Sequence, residues 1–291
     1  MTSSRENPLG VETRHIMLGE DVVAVDVSGA PDRAPVLLLH GIPGWRGIWR
    51  EVADRLARAR CVWAPDLLGF GESSEPPDDT HAAGQAAMVV SLIRRLGGGP
   101  VHLVGFDFGG PVAVLVYRLA PELVASLVLA ATNVLTDTPI PAPMQLVRPP
   151  VFGDILARML FGRTGLSLMW FAAVARRDRL TFGRYQDILR FPRGVAWTRR
   201  IFQASLRDLP GLYGPIQDTL ATITVPCTVV WGDRDPFFPV AVGERTAAQV
   251  PRAGFVTLAG CGHFLPAENP DGFAAAVAAL VRRAEEGGGA A

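Results

Sequence analysis

Gly105-Phe106-Asp107-Phe108-Gly109-Gly110 stands between an apolar strand-like run, Val101 to Val104, and an apolar helical pattern that opens near Pro111. This is the context of a nucleophile elbow, a sharp strand-to-helix turn that lifts one side chain above the end of a sheet. Its flanking residues are glycines because no Cβ fits so close to the turn. The usual occupant of the lifted position is Ser; here it is Asp107. A carboxylate, with a pKa of about 4, is ionised at neutral pH without help from a base. It attacks ester carbonyls poorly and saturated carbon well. The product is an alkyl ester of the protein, which water must then cleave.

Outward from the elbow, apolar runs alternate with helical patterns, which specifies an α/β fold with a mostly parallel sheet and helices on both faces. Strands are expected near 13–18, 22–27, 35–39, 60–64, 101–104, 126–131, 226–231 and 254–258, and helices near 46–58, 81–96, 110–119, 240–249 and 270–284. Gly19-Glu20-Asp21 separates the first two strands as a hairpin turn, an antiparallel start to the sheet. The alternation stops after Thr132, and Thr138-Pro139-Ile140-Pro141-Ala142-Pro143 fits neither a helix nor a central strand. Residues 137–218 are therefore expected to form an inserted helical cap, and 1–136 with 219–291 the core domain. The cap holds twelve Arg against six Asp, about +6, which leaves the rest at about −6. This reads first as charge complementarity or a solvated face, and second as attraction of an electron-rich substrate. The tail from Glu285 to Ala291 is expected to fray.

The chain has 291 residues, 49% of them hydrophobic, with no net charge, so a sizeable core is available. Its 28 basic residues are all Arg and are matched by 28 acids, which gives no electrostatic footprint for nucleic acid. No apolar run reaches the roughly 18 residues of a membrane span, and Met1 to Gly10 lacks the apolar core of a signal peptide. Cys61, Cys227 and Cys261 lack metal-ligand spacing and read as reduced, buried thiols of a cytoplasmic protein; a reactive thiol at Cys261 is the lesser alternative.

Three further motifs fall where the elbow needs them. His40-Gly41-Ile42-Pro43 ends the strand-like run Val36 to Leu39. A loop there offers the N–H of Ile42, and with the N–H of Phe108 it would form an oxyanion hole for ester cleavage. Trp231-Gly232-Asp233-Arg234-Asp235-Pro236 follows a strand, and Asp235, preferred to Asp233 by its Gly-x-x-Asp spacing, would orient a histidine. Gly260-Cys261-Gly262-His263-Phe264 follows the last strand, and His263 would take a proton from the hydrolytic water.

With Asp107 in the elbow, His40-Gly41-Ile42-Pro43 followed by Trp49-Arg50, and Asp66-Leu67-Leu68-Gly69-Phe70-Gly71-Glu72-Ser73-Ser74, the chain resembles an α/β-hydrolase over nearly its whole length. It is most similar to the epoxide hydrolase and haloalkane dehalogenase branch. The resemblance implies an α/β-hydrolase fold, a mostly parallel eight-stranded sheet flanked by helices with an inserted cap. It also implies a triad of Asp107, Asp235 and His263. Epoxide hydrolases typically protonate the leaving oxygen with a pair of cap tyrosines. The cap here has two, Tyr185 and Tyr213, and Tyr185 is taken as the first donor. Thr198 stands where the second tyrosine would be, so Tyr213, Trp197 and Trp170 are the substitutes considered. Haloalkane dehalogenases usually carry Trp after the nucleophile and often Asn in the oxyanion loop, and haloacetate types carry Arg after the nucleophile. Here those positions are Phe108 and Ile42, whose side chains cannot donate.

The expected function is epoxide opening to a vicinal diol. The alternatives are haloalkane dehalogenation, a non-hydrolytic ring-opening or cyclising step of secondary metabolism, and a retired hydrolase that only binds ligand. Trp45, Phe106, Phe108, Met144, Trp170, Phe171 and Phe264, together with Trp197 and Tyr213, suggest a pocket for a bulky apolar or aromatic small molecule. The competing reading of these residues is ordinary packing. No metal or organic cofactor, nucleic acid or membrane partner is expected, and the protein is expected to be a monomer or homodimer. His40 and Asp66 are read as structural, and His102, His81 and His15 as surface or strand-edge residues.

Overall fold

The computed structural model describes residues 10–31, 33–75, 81–138, 145, 152–189, 200, 201, 204 and 209–288. One sheet holds β1 (Glu12–Leu18), β2 (Asp21–Ser28), β3 (Val36–Leu39), β4 (Val62–Pro65), β5 (Val101–Phe106), β6 (Val124–Ala130), β7 (Cys227–Gly232) and β8 (Gly254–Leu258), in the order β1-β2-β4-β3-β5-β6-β7-β8. β1 and β2 form the expected hairpin, β2 also runs antiparallel to β4, and the remaining pairings are parallel.

The central strands are unbroken apolar runs because both of their faces are covered. Their period of two divides each run between two layers. Leu37, Leu39, Leu103 and Leu129 face α2 (Ala82–Leu96), α3 (Gly109–Leu119) and α8 (Val240–Gln249). Val36, Leu38, Val104 and Val128 face α1 (Arg50–Leu56) and α10 (Pro270–Gly288). Between β6 and β7 lie α4 (Gly153–Leu160), α5 (Arg163–Ala173), α6 (Phe182–Ile188) and α7 (Leu209–Leu220), and the short helix α9 (Leu265–Glu268) precedes α10. No helix among the described residues is long and apolar enough to cross a membrane.

Three local expectations are corrected. The segment expected as one helix over 46–58 opens as a 3-10 turn, Arg46–Trp49, before α1. Arg46 is drawn inward there: its N–H donates to Asp66 Oδ1 at 2.8 Å, its Nε donates to Asp26 Oδ1 at 2.8 Å, and its Nη1 meets Asp66 Oδ2. Of the tail expected to fray, Glu285 to Gly288 instead continue α10, with Arg60 donating to Glu285 at 3.1 Å, and residues 289–291 lie outside the described residues. His102, expected at the surface or a strand edge, is buried between β5 and β6 with its Nδ1 2.9 Å from Ser126 Oγ.

His40 and His102 make the fold sensitive to acid. Burial lowers each imidazole to about 4, and the nearby Arg60 adds to the effect at His102. In the unfolded chain both titrate at about 6.5. The stability conferred by keeping them neutral is present above about pH 6.5 and is lost as the pH falls through about 4, up to about 3 kcal/mol for each group. Denaturant midpoints measured between pH 7 and pH 4 are expected to fall, and to fall less steeply in His102→Asn. An identical slope in the variant would remove His102 from this account.

Candidate active site

The elbow is built by backbones that pack without side chains between them. A Cβ on Gly105 would lie 2.4 Å from the Gly109 carbonyl oxygen, and one on Gly109 would lie 2.3 Å from that of Leu39. The turn between β5 and α3 therefore closes only with glycine at these positions. Asp107 sits at its apex with φ +50°, a conformation that costs a non-glycine residue of the order of 1–3 kcal/mol. Its backbone N–H donates to Ala130 O at 3.0 Å, and its carbonyl accepts from the Gly110 N–H at 3.0 Å and from Thr132 Oγ1 at 2.5 Å.

The Asp107 carboxylate has two distinct oxygens. Oδ1 accepts the Ile42 N–H at 2.7 Å. Oδ2 faces His263 Nε2 at 3.5 Å. The amide of Phe108, at the N-cap of α3, precedes the first intrahelical bond.

His263 lies in the loop after β8 and is 4% exposed. Its Nδ1 is 2.9 Å from Asp235 Oδ2, whose other oxygen accepts the N–H groups of Phe237 and Phe238 at 2.8 and 3.1 Å. Asp233, the competing acid, turns away to accept the Gly260 N–H at 2.7 Å. Burial alone would lower the imidazole pKa; the carboxylates of Asp235 and Asp107 outweigh it and raise it to about 10. At neutral pH the resting site is thus an imidazolium held between two acids.

The loop under the nucleophile is fixed by His40. Its Nε2 accepts the Leu67 N–H at 3.0 Å, which leaves Nδ1 to donate to Gly41 O at 2.9 Å. Asp66 anchors the same region by accepting from the Arg46 and Glu72 N–H groups at 2.8 and 2.9 Å. Both residues are structural, as expected.

The aromatic residues divide into walls and tethers. Phe106 and Phe264 stand 5.3 and 5.2 Å from the His263 ring, and Phe237 and Phe238 complete the enclosure at 5.0 and 5.7 Å. The last two were missed in the sequence, although they follow Asp235-Pro236 directly; Arg46 and Thr132 were also missed. Trp45 and Trp170 spend their indole N–H groups on the carbonyls of Asp187 and Leu180, at 2.7 and 2.8 Å. Trp170 is therefore not a free donor. Phe171, expected in the pocket lining, is 63% exposed under the Arg177 guanidinium. Met144 and Trp197 lie outside the described residues.

Tyr185, on α6, is fully buried and meets Phe264 edge-on at 5.0 Å; its hydroxyl has no hydrogen-bond partner among the described residues. Tyr213, on α7, lines a recess of about 140 Å³ together with Phe108, Leu115 and Ile216. Burial and then the Asp107 charge raise its pKa, which keeps the phenol protonated. The three cysteines are buried and unbridged, and burial raises the Cys261 thiol, against a reactive role for it.

The alpha/beta hydrolase fold family model matches residues 34–270. Over 256 residues the chain is 29% identical to haloalkane dehalogenase 2 of Mycobacterium tuberculosis, covering 84% of this chain and 86% of that one. It is 25% identical to the 2-hydroxy-6-oxo-6-phenylhexa-2,4-dienoate hydrolase of Burkholderia cepacia, over 86% of this chain and 88% of that one. The solved haloalkane dehalogenase of Bradyrhizobium elkani superposes with a TM-score of 0.78 at 20% identity, covering 96% of this chain and 100% of that one. With its elbow, loop and histidine in the matched span, the chain belongs to the alpha/beta hydrolase fold family and is a hydrolase related to the haloalkane dehalogenases.

Proposed function

We propose that this protein opens an epoxide to a vicinal diol through an alkyl ester on Asp107, with residues 137–218 acting as the cap over the site. The observation that carries this reading is the carboxylate itself, with Oδ1 held by the Ile42 N–H and Oδ2 left facing the imidazole. A carboxylate already ionised and aimed from an elbow suits displacement at saturated carbon.

In the first step Oδ2 attacks one ring carbon, the carbon–oxygen bond breaks, and its electron pair goes to the epoxide oxygen. That oxygen takes the proton of Tyr213. Of the two cap phenols, Tyr213 is the one on which the Asp107 charge acts, so it is assigned as donor. Tyr185 is assigned to the wall behind Phe264.

The ester removes the negative charge of Asp107, and with it part of what held His263 at about 10. The imidazolium can then return a proton to the phenolate and become a neutral base. Formation of the ester in this way switches on the group that destroys it. His263, oriented by Asp235, takes a proton from water as the water oxygen attacks Cγ of Asp107. The negative charge develops on Oδ1, where Ile42 N–H, joined by Phe108 N–H, stabilises it. Collapse expels the diol alkoxide, which takes the proton from His263; the Asp107 carboxylic acid left behind then gives its proton to the imidazole, which restores the carboxylate and the imidazolium.

Dehalogenation is the second reading, because a curated relative at 29% identity carries that name. Against it, neither Phe108 nor Ile42 has a side chain that donates to a departing halide.

Intact mass of His263→Gln after incubation with mixed epoxides and haloalkanes separates the two. A gain equal to the whole epoxide is expected. A gain of an alkyl group without halogen would turn the assignment to dehalogenase, and no adduct across a broad panel would sink both. Tyr213→Phe is expected to slow ester formation by about 100-fold in single-turnover experiments. Tyr185→Phe is expected to stay within about 3-fold and to keep or raise thermal stability, since it deletes a buried hydroxyl without a described partner. The reverse ranking would exchange the two roles.

A further inference from the structure

Glu268 lies on α9, five residues beyond His263, and is fully buried. Its Oε2 accepts three backbone N–H groups at 2.9 Å: those of Gly262, Ala175 and Arg176. Gly262 immediately precedes His263. Ala175 and Arg176 follow α5 in the segment between β6 and β7. The His263 N–H in turn donates to Ala173 O at 3.0 Å. A Cβ on Gly262 would lie 2.3 Å from that same Ala173 carbonyl oxygen, so the two chains meet with no room for a side chain.

We propose that Glu268 is a positioning residue for His263: through one carboxylate oxygen it seats the end of α5 on the histidine loop and adds a third negative charge beside the imidazole. The inference rests on the proposed role of His263 as the base that cleaves the ester.

The contacts favour the charged form of Glu268. Three N–H donors converge on Oε2, and Oε1 has no described partner that could accept a proton from it. Burial is the larger effect and leaves the Glu268 pKa raised, with the three N–H groups and the His263 charge offsetting it in part. The acidic groups around His263 are Asp107 on the elbow and Asp235 after β7, both against the ring, and Glu268 on α9, which holds the N–H of the preceding Gly262; the rings of Phe106, Phe237, Phe238 and Phe264 also pack against the imidazole. Arg176 adds a positive charge beside Cys261, two residues before the histidine. Asp235 and Asp107 contact the imidazole directly, whereas Glu268 acts on it through the backbone and through space.

Two variants separate seat from charge. Glu268→Gln keeps an oxygen that can accept the three N–H groups and removes only the charge. Glu268→Ala removes both. The His263 ring nitrogens are followed by NMR titration, the segment after α5 by limited proteolysis, and ester formation and cleavage by single-turnover kinetics. In Glu268→Gln the proteolysis pattern is expected to be unchanged, with the His263 titration displaced downward by about one pH unit. In Glu268→Ala the segment near 173–176 is expected to be cut at least about 10-fold faster, and ester cleavage to slow by about 100-fold while ester formation changes little. Wild-type titration in Glu268→Gln overturns the proposal, even if Glu268→Ala fails to fold. Equal losses in ester formation and cleavage also overturn it. Should no epoxide form an adduct, the titration and proteolysis still decide the role of Glu268, and the failure falls on the proposed substrate alone.

Discussion

The site depends on a steric constraint before it depends on any charge. β3, β5 and α3 converge so closely at the elbow that Gly105 and Gly109 touch neighbouring carbonyl oxygens where a Cβ would stand. That closeness brings the Ile42 N–H to one oxygen of Asp107 and turns the other toward His263. The left-handed backbone of Asp107 is the local cost. It is sustained by bonds from both directions, to Ala130 on β6 and from Gly110 and Thr132. The sheet supplies the rigidity, and the elbow converts it into the aim of one carboxylate.

The second organising element is the imidazole between Asp107 and Asp235. A buried imidazolium is stable there because two anions face it from opposite edges. The proposed chemistry consumes one of those anions, so the same environment favours the charged ring before reaction and the neutral ring after it. In this reading a single group holds both states in turn without any movement of the ring.

Much of this was legible in the residues. The eight strands lie within a few positions of where the apolar runs placed them, because fully covered parallel strands leave a continuous signal. Glycine spacing marked the elbow, and Gly232 to Asp235 gave the spacing of the histidine's partner. The failures share one cause, a contact made far along the chain. Arg46 looks like a helical surface residue until Asp26 and Asp66 are brought beside it. His102 carries no sign of burial until Ser126 arrives on the neighbouring strand. Glu268 carries no sign of its role in the sequence, because two of the three amides it gathers lie 93 and 92 positions away. Aromatic composition pointed to a pocket but could not tell Phe106, against the histidine, from Phe171, out in solvent.

Among the described residues, three fastenings of the segment between β6 and β7 run through its main chain. Trp45 reaches the carbonyl of Asp187, the amide of His263 reaches that of Ala173, and Glu268 gathers the amides of Ala175 and Arg176. Peptide groups are common to every residue, so these fastenings read the path of the segment and hardly its side chains. With this segment as the proposed cap, substitutions along it can reshape what passes over Asp107 while the segment keeps its seat. A descendant of this protein could therefore change its preferred molecule through the inserted helices alone, leaving elbow, acid and histidine as they stand.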